Sequence, residues 1–204
     1  MTAQARRLVL ATRNPGKVRE MGDLLSGLPV ALTHLGELPD PPELSEPHET
    51  FADNAREKAL TVARATGELA LADDSGLMVD ALGGAPGVRS SRFAGEGATD
   101  AELVAKLLVE MQGVPELRRA ARFVCVLVLA GTEGEIGRWE GQVEGRILTE
   151  PRGEAGFGYD PVFYYPPAGM TFAQMTPAQK NEVSHRARAL ADLRRDLPVI
   201  LRCL

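Results

Sequence analysis

The sequence predicts one α/β domain, residues 1–204, with a mixed β-sheet flanked by helices. Apolar segments typical of strands alternate along the chain with segments whose apolar residues recur at helical spacing. Two strand-like segments, residues 121–130 and 137–147, follow each other at the spacing of a hairpin, which indicates antiparallel as well as parallel pairing. No internal repeat, low-complexity tract or linker divides the chain.

The first third of the chain is predicted to hold two strands, two helices and one exposed loop. Residues 6–12 are strand-like, and residues 17–25 follow with apolar side chains at helical spacing. Residues 30–35 form a second candidate strand. The four prolines of residues 37–49 favour an exposed loop, and a strong amphipathic helix is predicted over residues 50–65.

The middle of the chain contains the most strand-like segments. Residues 69–72 are predicted as a short strand that ends at a pair of aspartates, and residues 77–82 continue as either strand or helix. Residues 99–111 have helical spacing. The nearly unbroken apolar run of residues 121–130 is typical of a central strand, whereas residues 137–147 alternate as an outer strand does.

The last quarter of the chain is predicted as a loop followed by a helix. Residues 153–167 are rich in Gly, Tyr and Pro, which favours a loop. Residues 181–193 are predicted to form a terminal helix.

The composition argues against several classes of partner. With a net charge of −5, 44% hydrophobic residues and 25% charged residues, the chain offers no electrostatic attraction to nucleic acid or to an anionic membrane. Cys125 and Cys203 are far apart and form no C-x-x-C motif, which predicts a reduced, cytoplasmic protein. The apolar run after Arg6 and Arg7 is too short for a signal peptide, and no segment approaches the ~20 apolar residues of a membrane span.

A turn that joins the first predicted strand to the first predicted helix has the residue types of a polyphosphate site. Backbone N–H groups and the dipole at a helix N-terminus favour an anion. The side chains add hydroxyl and amide donors, a glycine allows close approach, and a lysine supplies charge. The alternative is an ordinary strand-to-helix turn with a surface lysine, and the spacing is not that of a P-loop. The residues of this turn are Thr12, Arg13, Asn14, Pro15, Gly16 and Lys17.

Acidic side chains in three segments could hold a metal ion. Glu46 lies in the Pro-rich loop, Glu49 and Asp53 open the following helix, and Asp73 and Asp74 end a predicted strand. Mg²⁺ takes one or two carboxylates and completes its shell with water and substrate phosphates. Glu46 together with one of the two adjacent aspartates would satisfy that need.

The adjacent aspartates are predicted to have different surroundings. Neighbouring side chains on an extended backbone face opposite sides, so we expect only one of Asp73 and Asp74 to face a site. The alternative is that both belong to a capped turn, which Ser75 and Gly76 complete.

A glycine-bracketed loop near the C-terminus has groups that could bind a planar ring. Phe157 and Tyr159, flanked by Gly156 and Gly158, could stack on the ring while Asp160 accepts hydrogen bonds from ring N–H groups. The alternative is an aromatic turn that fills the core.

A donor-rich group lies further along the chain. It consists of Lys180 and the sequence Ser184-His185-Arg186, and both His185 and Arg186 could donate to a carbonyl oxygen. The alternative is a solvated helix end with scattered charges.

The order and spacing of these motifs resemble the inosine/xanthosine triphosphate pyrophosphatase family over residues 8–193. The motifs are T-x-N-x-x-K, E-x-x-x-T-F-x-x-N-A-x-x-K-A, A-D-D-S-G-L-x-V-D-x-L-G-G-x-P-G, F-G-Y-D-P and K-x-x-x-S-H-R. The resemblance implies a two-lobed fold with a long mixed central sheet, an active-site cleft between the lobes, a homodimer and dependence on Mg²⁺.

The resemblance also implies roles for individual residues. Asp74 binds Mg²⁺ with Glu46 and acts as the general base, and Ser75 contacts the substrate beside it. Two departures from the family are Arg13, where small residues are common, and Tyr159, where some members have tryptophan. The implied substrate-binding residues are the triphosphate loop of residues 12–17, the phosphate contacts Asn54 and Lys58, and the base-pocket residues Phe157, Gly158, Tyr159, Asp160, Lys180, His185 and Arg186.

The activity that the resemblance implies is Mg²⁺-dependent hydrolysis of deaminated purine nucleoside triphosphates (ITP, dITP and XTP) to the monophosphate and pyrophosphate, which removes them from the nucleotide pool. Asp74 would activate a water for attack on the α-phosphorus. His185 and Arg186 would meet a 6-oxo group, which adenine lacks. The alternatives are a house-cleaning pyrophosphatase for modified pyrimidine or methylated nucleotides and a nucleotide-binding sensor that needs no general base.

Overall fold

A computed structural model describes residues 6–204, and this range contains seven strands and five α-helices. The strands are β1 (Arg6–Leu10), β2 (Val30–His34), β3 (Leu69–Val79), β4 (Ala120–Gly131), β5 (Gly134–Ile147), β6 (Phe163–Tyr165) and β7 (Met170–Thr171). The helices are α1 (Pro15–Leu25), α2 (Phe51–Thr66), α3 (Asp100–Glu110), α4 (Pro177–Val183) and α5 (His185–Cys203).

All seven strands belong to one mixed sheet in the order β2-β1-β3-β4-β5-β6-β7. β1 pairs in parallel with both β2 and β3, and Leu8 is the register partner of both Leu32 and Leu69. β6 pairs antiparallel with β5 and β7. The predicted α/β class with a mixed sheet is therefore confirmed, although residues 153–167, predicted as a loop, contribute strand β6.

Strand β3 differs most from the prediction. The sequence predicts a strand that ends at the two aspartates, but one strand of eleven residues passes through them and through Ser75 and Gly76. The capped turn considered for this stretch is therefore wrong, and residues 77–82 continue the strand to Val79 before a 3₁₀ turn. The strand can continue because both carboxylates contact buried cationic side chains, so no turn is needed to expose them to water.

Local polar side chains set the starts and breaks of the helices. Asn14 caps α1, which begins at Pro15, two residues before the predicted start, and Thr50 caps α2. The terminal helix predicted over residues 181–193 is two helices, because Ser184 has extended backbone angles between α4 and α5. In the part of the chain that the structure describes, no helix has the length and apolarity needed to span a membrane.

The described residues form two compact units. The first comprises residues 6–74, 125–141 and 186–204. Its apolar core contains residues from β1, β3, β4, α1 and α5, among them Leu71 and Leu193, both fully buried. This unit therefore contains the predicted phosphate loop and the two aspartates.

The second unit comprises residues 75–124 and 142–185. Its core is centred on aromatic side chains, with the ring centroid of Phe163 4.6 Å from that of Phe123 and 4.9 Å from that of Phe172. Such tilted aromatic pairs add about 0.5–1.5 kcal/mol each beyond the area that they bury. This unit contains the predicted glycine-bracketed loop and Lys180.

Candidate active site

Strand β3 directs its two aspartate side chains toward different partners. Asp73 is 2% exposed and Asp74 is 4% exposed. The carboxylate of Asp73 accepts hydrogen bonds from Lys17 and Arg186, whereas that of Asp74 accepts one from Lys58. The two aspartates therefore belong to two different clusters of charge, as the alternation of side chains on an extended backbone predicts.

Lys58 joins two carboxylates in the first of these clusters. Its Nζ donates to Asp74 Oδ1 at 2.7 Å, to Glu46 Oε1 at 2.8 Å and to the backbone oxygen of Asp73 at 2.9 Å. Lys58 lies one turn after Asn54 on α2, and Asn54 Nδ2 is 3.4 Å from Asp74 Oδ2. The structure therefore brings together four of the predicted site residues: Glu46, Asn54, Lys58 and Asp74.

Asn54 also fixes the loop that carries Glu46. Its fully buried side chain donates to the backbone oxygen of His48 at 3.1 Å and accepts from the His48 N–H at 2.9 Å. These two hydrogen bonds hold the end of the Pro-rich loop against α2. A contact between Asn54 and a phosphate stays a prediction.

Burial gives Asp74 an unusual proton affinity. Removal of its carboxylate from water raises the pKa of Asp74 to about 6, although the attraction of Lys58 and Lys17 opposes this rise and the repulsion of Glu46 adds to it. Burial also disfavours the ammonium of Lys58, but the attraction of Asp74 and Glu46 outweighs it, so the pKa of Lys58 is raised. Asp74 is thus mostly ionised at neutral pH and a stronger base than an ordinary aspartate.

The cluster around Asp73 contains two residues that the sequence patterns do not single out. Arg186, 1% exposed, donates through Nε to Asp73 Oδ2 at 2.7 Å and through Nη1 to Glu20. Cys125 Sγ donates to the same Asp73 oxygen at 3.3 Å. Glu20 lies on an ordinary amphipathic helix and Cys125 in an apolar strand, so neither position carries a signal in the sequence.

The cationic partners of Asp73 lower its pKa by more than its burial raises it. Burial alone would raise the pKa of the Asp73 carboxyl, but the charges and hydrogen bonds of Arg186 and Lys17 hold it well below its usual range. The same attraction, together with that of Glu20, raises the pKa of Arg186. Asp73 is therefore a permanently ionised counter-ion, whereas Asp74 can exchange a proton near neutral pH.

In the predicted phosphate loop, side chains accept hydrogen bonds from backbone N–H groups of the same loop. Asn14 Oδ1 accepts hydrogen bonds from the backbone N–H groups of Gly16 and Lys17 at 2.8 and 3.1 Å, and Thr12 Oγ1 accepts from the Asn14 N–H at 3.1 Å. The N–H groups of Gly16 and Lys17 are therefore already paired with Asn14, and the role of this loop in phosphate binding stays a prediction. Positive charge at this loop comes from the side chains of Lys17 and Arg13.

The glycine-bracketed loop is organised around Asp160. Asp160 Oδ2 accepts from Lys180 Nζ at 2.5 Å and from the backbone N–H of Phe157 at 2.9 Å, and Lys180 Nζ lies 4.7 Å from the centroid of the Phe157 ring. Gly156 has a φ of +80°, and a Cβ there would lie 2.0 Å from Asp160 Oδ2. Only glycine therefore allows this close approach.

The two aromatic residues of this loop have different environments. Tyr159 is 3% exposed in the core of the second unit and donates its hydroxyl hydrogen to the backbone oxygen of Ser90 at 2.8 Å. The core-filling alternative thus describes Tyr159, and stacking on a substrate ring is not supported for it. Phe157 is half-buried, and Gly158 has a φ of +61°.

The Ser184-His185-Arg186 sequence is buried, which excludes the alternative of a solvated helix end. Ser184 is 0% and His185 4% exposed, and the His185 ring stacks on Phe123 with centroids 4.8 Å apart. Arg186 belongs to the Asp73 cluster. Contacts of His185, of Arg186 and of half-buried Ser75 with a substrate stay predictions.

The residues around Asp74 fit a hard divalent cation only in part. Glu46 and Asp74 supply two carboxylates linked by one lysine, and oxygen ligands are those that Mg²⁺ prefers. Within residues 6–204 no group of three or more His, Cys, Asp or Glu side chains could hold a metal. A cation bound here would therefore complete its shell with water and substrate phosphate oxygens, which is common for Mg²⁺.

The mixed α/β fold with a buried carboxylate of raised pKa is typical of the class of α/β enzymes. The chain belongs to the Ham1 family, whose sequence profile matches residues 8–196. Membership implies dependence on a divalent metal ion.

Two proteins similar to this chain in sequence have the same activity in their names. It is 54% identical to the dITP/XTP pyrophosphatase of Desulforamulus reducens over 184 residues, which cover 90% of this chain and 92% of the relative. It is 50% identical to the dITP/XTP pyrophosphatase of Geobacter sulfurreducens, with 92% of this chain and 94% of the relative covered.

Solved structures of the family have the same fold. A HAM1 protein from Coxiella burnetii is similar with a TM-score of 0.86 and 42% identity, covering 95% of this chain and 98% of that protein. The Staphylococcus aureus Ham1 protein is similar with a TM-score of 0.84 and 36% identity, over the same shares of the two chains.

Proposed function

We propose that this protein hydrolyses deaminated purine nucleoside triphosphates, such as dITP and XTP, to the nucleoside monophosphate and pyrophosphate. The observation that carries the proposal is the buried carboxylate of Asp74, with a pKa of about 6, linked through Lys58 to Glu46. The dITP/XTP pyrophosphatase names of relatives that match nearly the whole chain support this substrate class.

Asp74 is the general base in this proposal. A base with a pKa of about 6 is ionised at neutral pH and still takes a proton from an attacking water more readily than an ordinary aspartate. Lys58 and Asn54 hold the two carboxylate oxygens of Asp74, so the direction in which the base points is fixed. Attack of the activated water on the α-phosphorus gives the monophosphate and releases pyrophosphate.

Glu46 and Asp74 would hold the divalent cation that family membership implies, and their carboxylate oxygens favour Mg²⁺. When bound, Mg²⁺ neutralises phosphate charge and stabilises the pyrophosphate leaving group. The Pro-rich loop holds Glu46 in place through the two hydrogen bonds between Asn54 and His48. Lys58 keeps the two carboxylates together when the cation is absent.

Lys17, Lys58 and the loop of residues 12–17 would bind the triphosphate. Lys17 is the charged side chain of that loop whose Nζ reaches the aspartate strand, where it contacts Asp73. An ammonium that is already positioned stabilises developing charge without reorganisation. Arg13 adds a second positive charge at the same loop.

The base would be recognised by Phe157, Lys180, His185 and Arg186. Phe157 offers a half-buried ring for stacking, and Asp160 fixes its loop through the Phe157 N–H. Donors from His185 and Arg186 suit the 6-oxo group of hypoxanthine and xanthine. The 6-amino group of adenine would leave those donors unpaired, which costs about 1–3 kcal/mol.

The sequence also supports a proposal for the oligomeric state and location of the protein. We expect a homodimer in the cytoplasm, on the resemblance of the motifs and on the absence of any C-x-x-C motif. The net charge of −5 argues against nucleic acid as a partner.

The test is a panel of ITP, dITP, XTP, GTP and ATP with Mg²⁺, in which pyrophosphate and phosphate are assayed separately. We expect pyrophosphate from the deaminated purines, with an Asp74→Asn protein purified in parallel as the control for contaminating phosphatases. Release of phosphate without pyrophosphate would contradict attack on the α-phosphorus. Equal turnover of ATP and ITP would contradict the 6-oxo pocket, and nucleotide binding without turnover would indicate a sensor.

A further inference from the structure

Three ion pairs link four alternating charges into one network within the first compact unit, in the order Lys17, Asp73, Arg186 and Glu20. Asp73 binds Lys17 through Oδ1 and Arg186 through Oδ2, and Arg186 also binds Glu20. Lys17 and Glu20 lie one turn apart on α1, so the charge network runs from α1 to β3 to α5 and returns to α1. The Asp73 side chain at its centre is fully buried.

The charge network joins two side chains that the proposed function assigns to opposite ends of the substrate. Lys17 belongs to the triphosphate loop, and Arg186 is a donor for the base. One carboxylate holds both of them, and Cys125 adds a third donor on the oxygen that Arg186 occupies. Lys17 also approaches the backbone oxygen of Asp73 at 3.4 Å, so its ammonium has two contacts with the same residue.

We propose that Asp73 is a positioning residue that holds Lys17 and Arg186 in place for the triphosphate and the base, and that Cys125 orients its carboxylate. This inference rests on the proposed function. Asp73 touches neither the reacting water nor the phosphorus in this role. Its carboxylate acts only through the two cations, while Asp74 acts on the opposite face of the same strand.

Positioning and simple charge compensation make opposite forecasts. If Asp73 only offsets the charge of Lys17, its removal should leave that lysine more attractive to anions, and binding of a polyphosphate should strengthen. If Asp73 positions Lys17, its removal leaves the ammonium without its fixed place, and binding should weaken. Affinity for inorganic tripolyphosphate therefore separates the two roles.

The experiment compares wild-type protein with Asp73→Asn, which keeps the shape of the side chain and removes its charge. Tripolyphosphate affinity is measured by calorimetry, and the ratio of kcat/KM for dITP to that for dATP is measured by pyrophosphate release. The control is Asp196→Asn on α5, outside the charge network, which removes the charge of the carboxylate that accepts a hydrogen bond from Trp139 at 2.8 Å. Folding of each variant is checked by circular dichroism.

We expect Asp73→Asn to weaken tripolyphosphate binding by roughly tenfold and to lower the dITP-to-dATP ratio by roughly tenfold, and we expect Asp196→Asn to change neither. Unchanged or stronger tripolyphosphate binding in Asp73→Asn would overturn the proposal. If the wild-type protein does not release pyrophosphate from dITP, the proposed function fails, but the tripolyphosphate measurement still decides whether Asp73 positions Lys17.

Cys125 provides a second test if Asp73→Asn does not fold. Cys125→Ser keeps a donor for Asp73 Oδ2, whereas Cys125→Ala removes it. We expect Cys125→Ala to lower the dITP-to-dATP ratio by roughly three- to tenfold and Cys125→Ser to restore most of that loss. A ratio in Cys125→Ala equal to that of the wild type would overturn the proposal in that case.

Discussion

Asp73 and Asp74 are adjacent on β3 and both buried, yet their carboxyl pKa values are shifted in opposite directions. Two cations, Arg186 and Lys17, hold the pKa of Asp73 well below its usual range. Asp74 shares Lys58 with Glu46, so burial prevails and its pKa rises to about 6. Ionisation of Asp73 therefore stabilises the folded state, whereas ionisation of Asp74 destabilises it.

The opposite shifts predict opposite effects of the two isosteric substitutions on stability. The unfolded-state pKa of an aspartate is about 3.9, so ionised Asp74 lowers stability as pH rises from about 4 to about 6. Asp74→Asn should therefore raise the free energy of unfolding by about 1–3 kcal/mol at about pH 8. Asp73→Asn leaves buried Arg186 and half-buried Lys17 without their shared anion and should lower the free energy of unfolding by about 3–5 kcal/mol. Urea denaturation measures both.

The pH dependence of these two effects supplies the check. The gain from Asp74→Asn should vanish at about pH 4, where the native carboxyl is protonated. The loss from Asp73→Asn should also shrink, because the low native pKa of Asp73 means that its stabilisation is present above about pH 4 and is lost as pH falls further. A lower free energy of unfolding in Asp74→Asn than in the wild type at about pH 8 would contradict the conclusion that ionised Asp74 destabilises the folded state.

The same pKa predicts an acidic limb in the rate profile. If ionised Asp74 accepts the proton of the attacking water, kcat/KM for dITP should fall below about pH 6 by roughly tenfold per pH unit, at Mg²⁺ concentrations too low to occupy the free enzyme, because bound Mg²⁺ would lower the pKa of Asp74. The affinity of a non-hydrolysable dITP analogue, measured at the same pH values, corrects for titration of the substrate phosphates. An acidic limb of the same shape in the residual activity of Asp74→Asn would assign the titration to another group.

Turnover should separate the two aspartates as well. Asp74→Asn should lower kcat by roughly a thousandfold or more while much of the nucleotide affinity remains, because the amide cannot accept the proton. Asp73→Asn should have a milder effect on kcat, since its carboxylate faces Lys17 and Arg186 rather than the Asp74 cluster. Single-turnover kinetics measure the chemical step directly. Equal losses in kcat from the two substitutions would contradict their assignment to different clusters.

The sequence predicts the class of fold because local patterns determine it. Apolar periodicity identifies α2 and β4 to within a residue or two, and Thr50 caps α2 as a polar residue before a helix does. It fails at β3, where two aspartates, a serine and a glycine have low strand propensity. Partners distant in sequence, Lys17, Lys58 and Arg186, override that propensity, and no local pattern reveals that these side chains contact β3.

The residues of the candidate site could likewise be predicted only in part from the sequence. The motifs bring Glu46, Lys58 and Asp74 to attention, and the structure links all three through one ammonium. Glu20 and Cys125 escape sequence analysis because their importance lies only in tertiary contacts with Arg186 and Asp73. Buried charge networks are therefore the part of such a site that a sequence alone conveys least.

If Glu46 is a metal ligand, its replacement should raise the Mg²⁺ concentration that the enzyme needs. Glu46→Gln keeps the side-chain length and one oxygen but removes a charge from the Lys58 cluster. Because Mg²⁺ would then have one carboxylate instead of two, the Mg²⁺ concentration for half-maximal activity should rise by roughly tenfold or more, with partial recovery at high Mg²⁺. Glu49→Gln in the same loop is the matched control and should leave the Mg²⁺ titration unchanged. An unaltered Mg²⁺ requirement in Glu46→Gln would remove this residue from the metal site.

Alanine substitutions at the two glycines of the Phe157 loop, Gly156 and Gly158, should differ in their effects. Gly156 and Gly158 both have positive φ, so alanine at either position carries backbone strain of about 1 kcal/mol. A Cβ at Gly156 would also lie 2.0 Å from Asp160 Oδ2, whereas a Cβ at Gly158 meets no atom within 4 Å. Gly156→Ala must therefore displace the carboxylate that binds the Phe157 N–H and Lys180.

We expect Gly156→Ala to raise KM for dITP by roughly tenfold or more and Gly158→Ala to raise it no more than about twofold, with kcat less affected in both, because the loop would bind the base rather than the reacting phosphorus. Steady-state kinetics on the two purified proteins, with thermal unfolding to measure the shared strain, make the comparison. Similar KM values for the two variants would show that the Asp160 anchor does not set the position of the Phe157 ring.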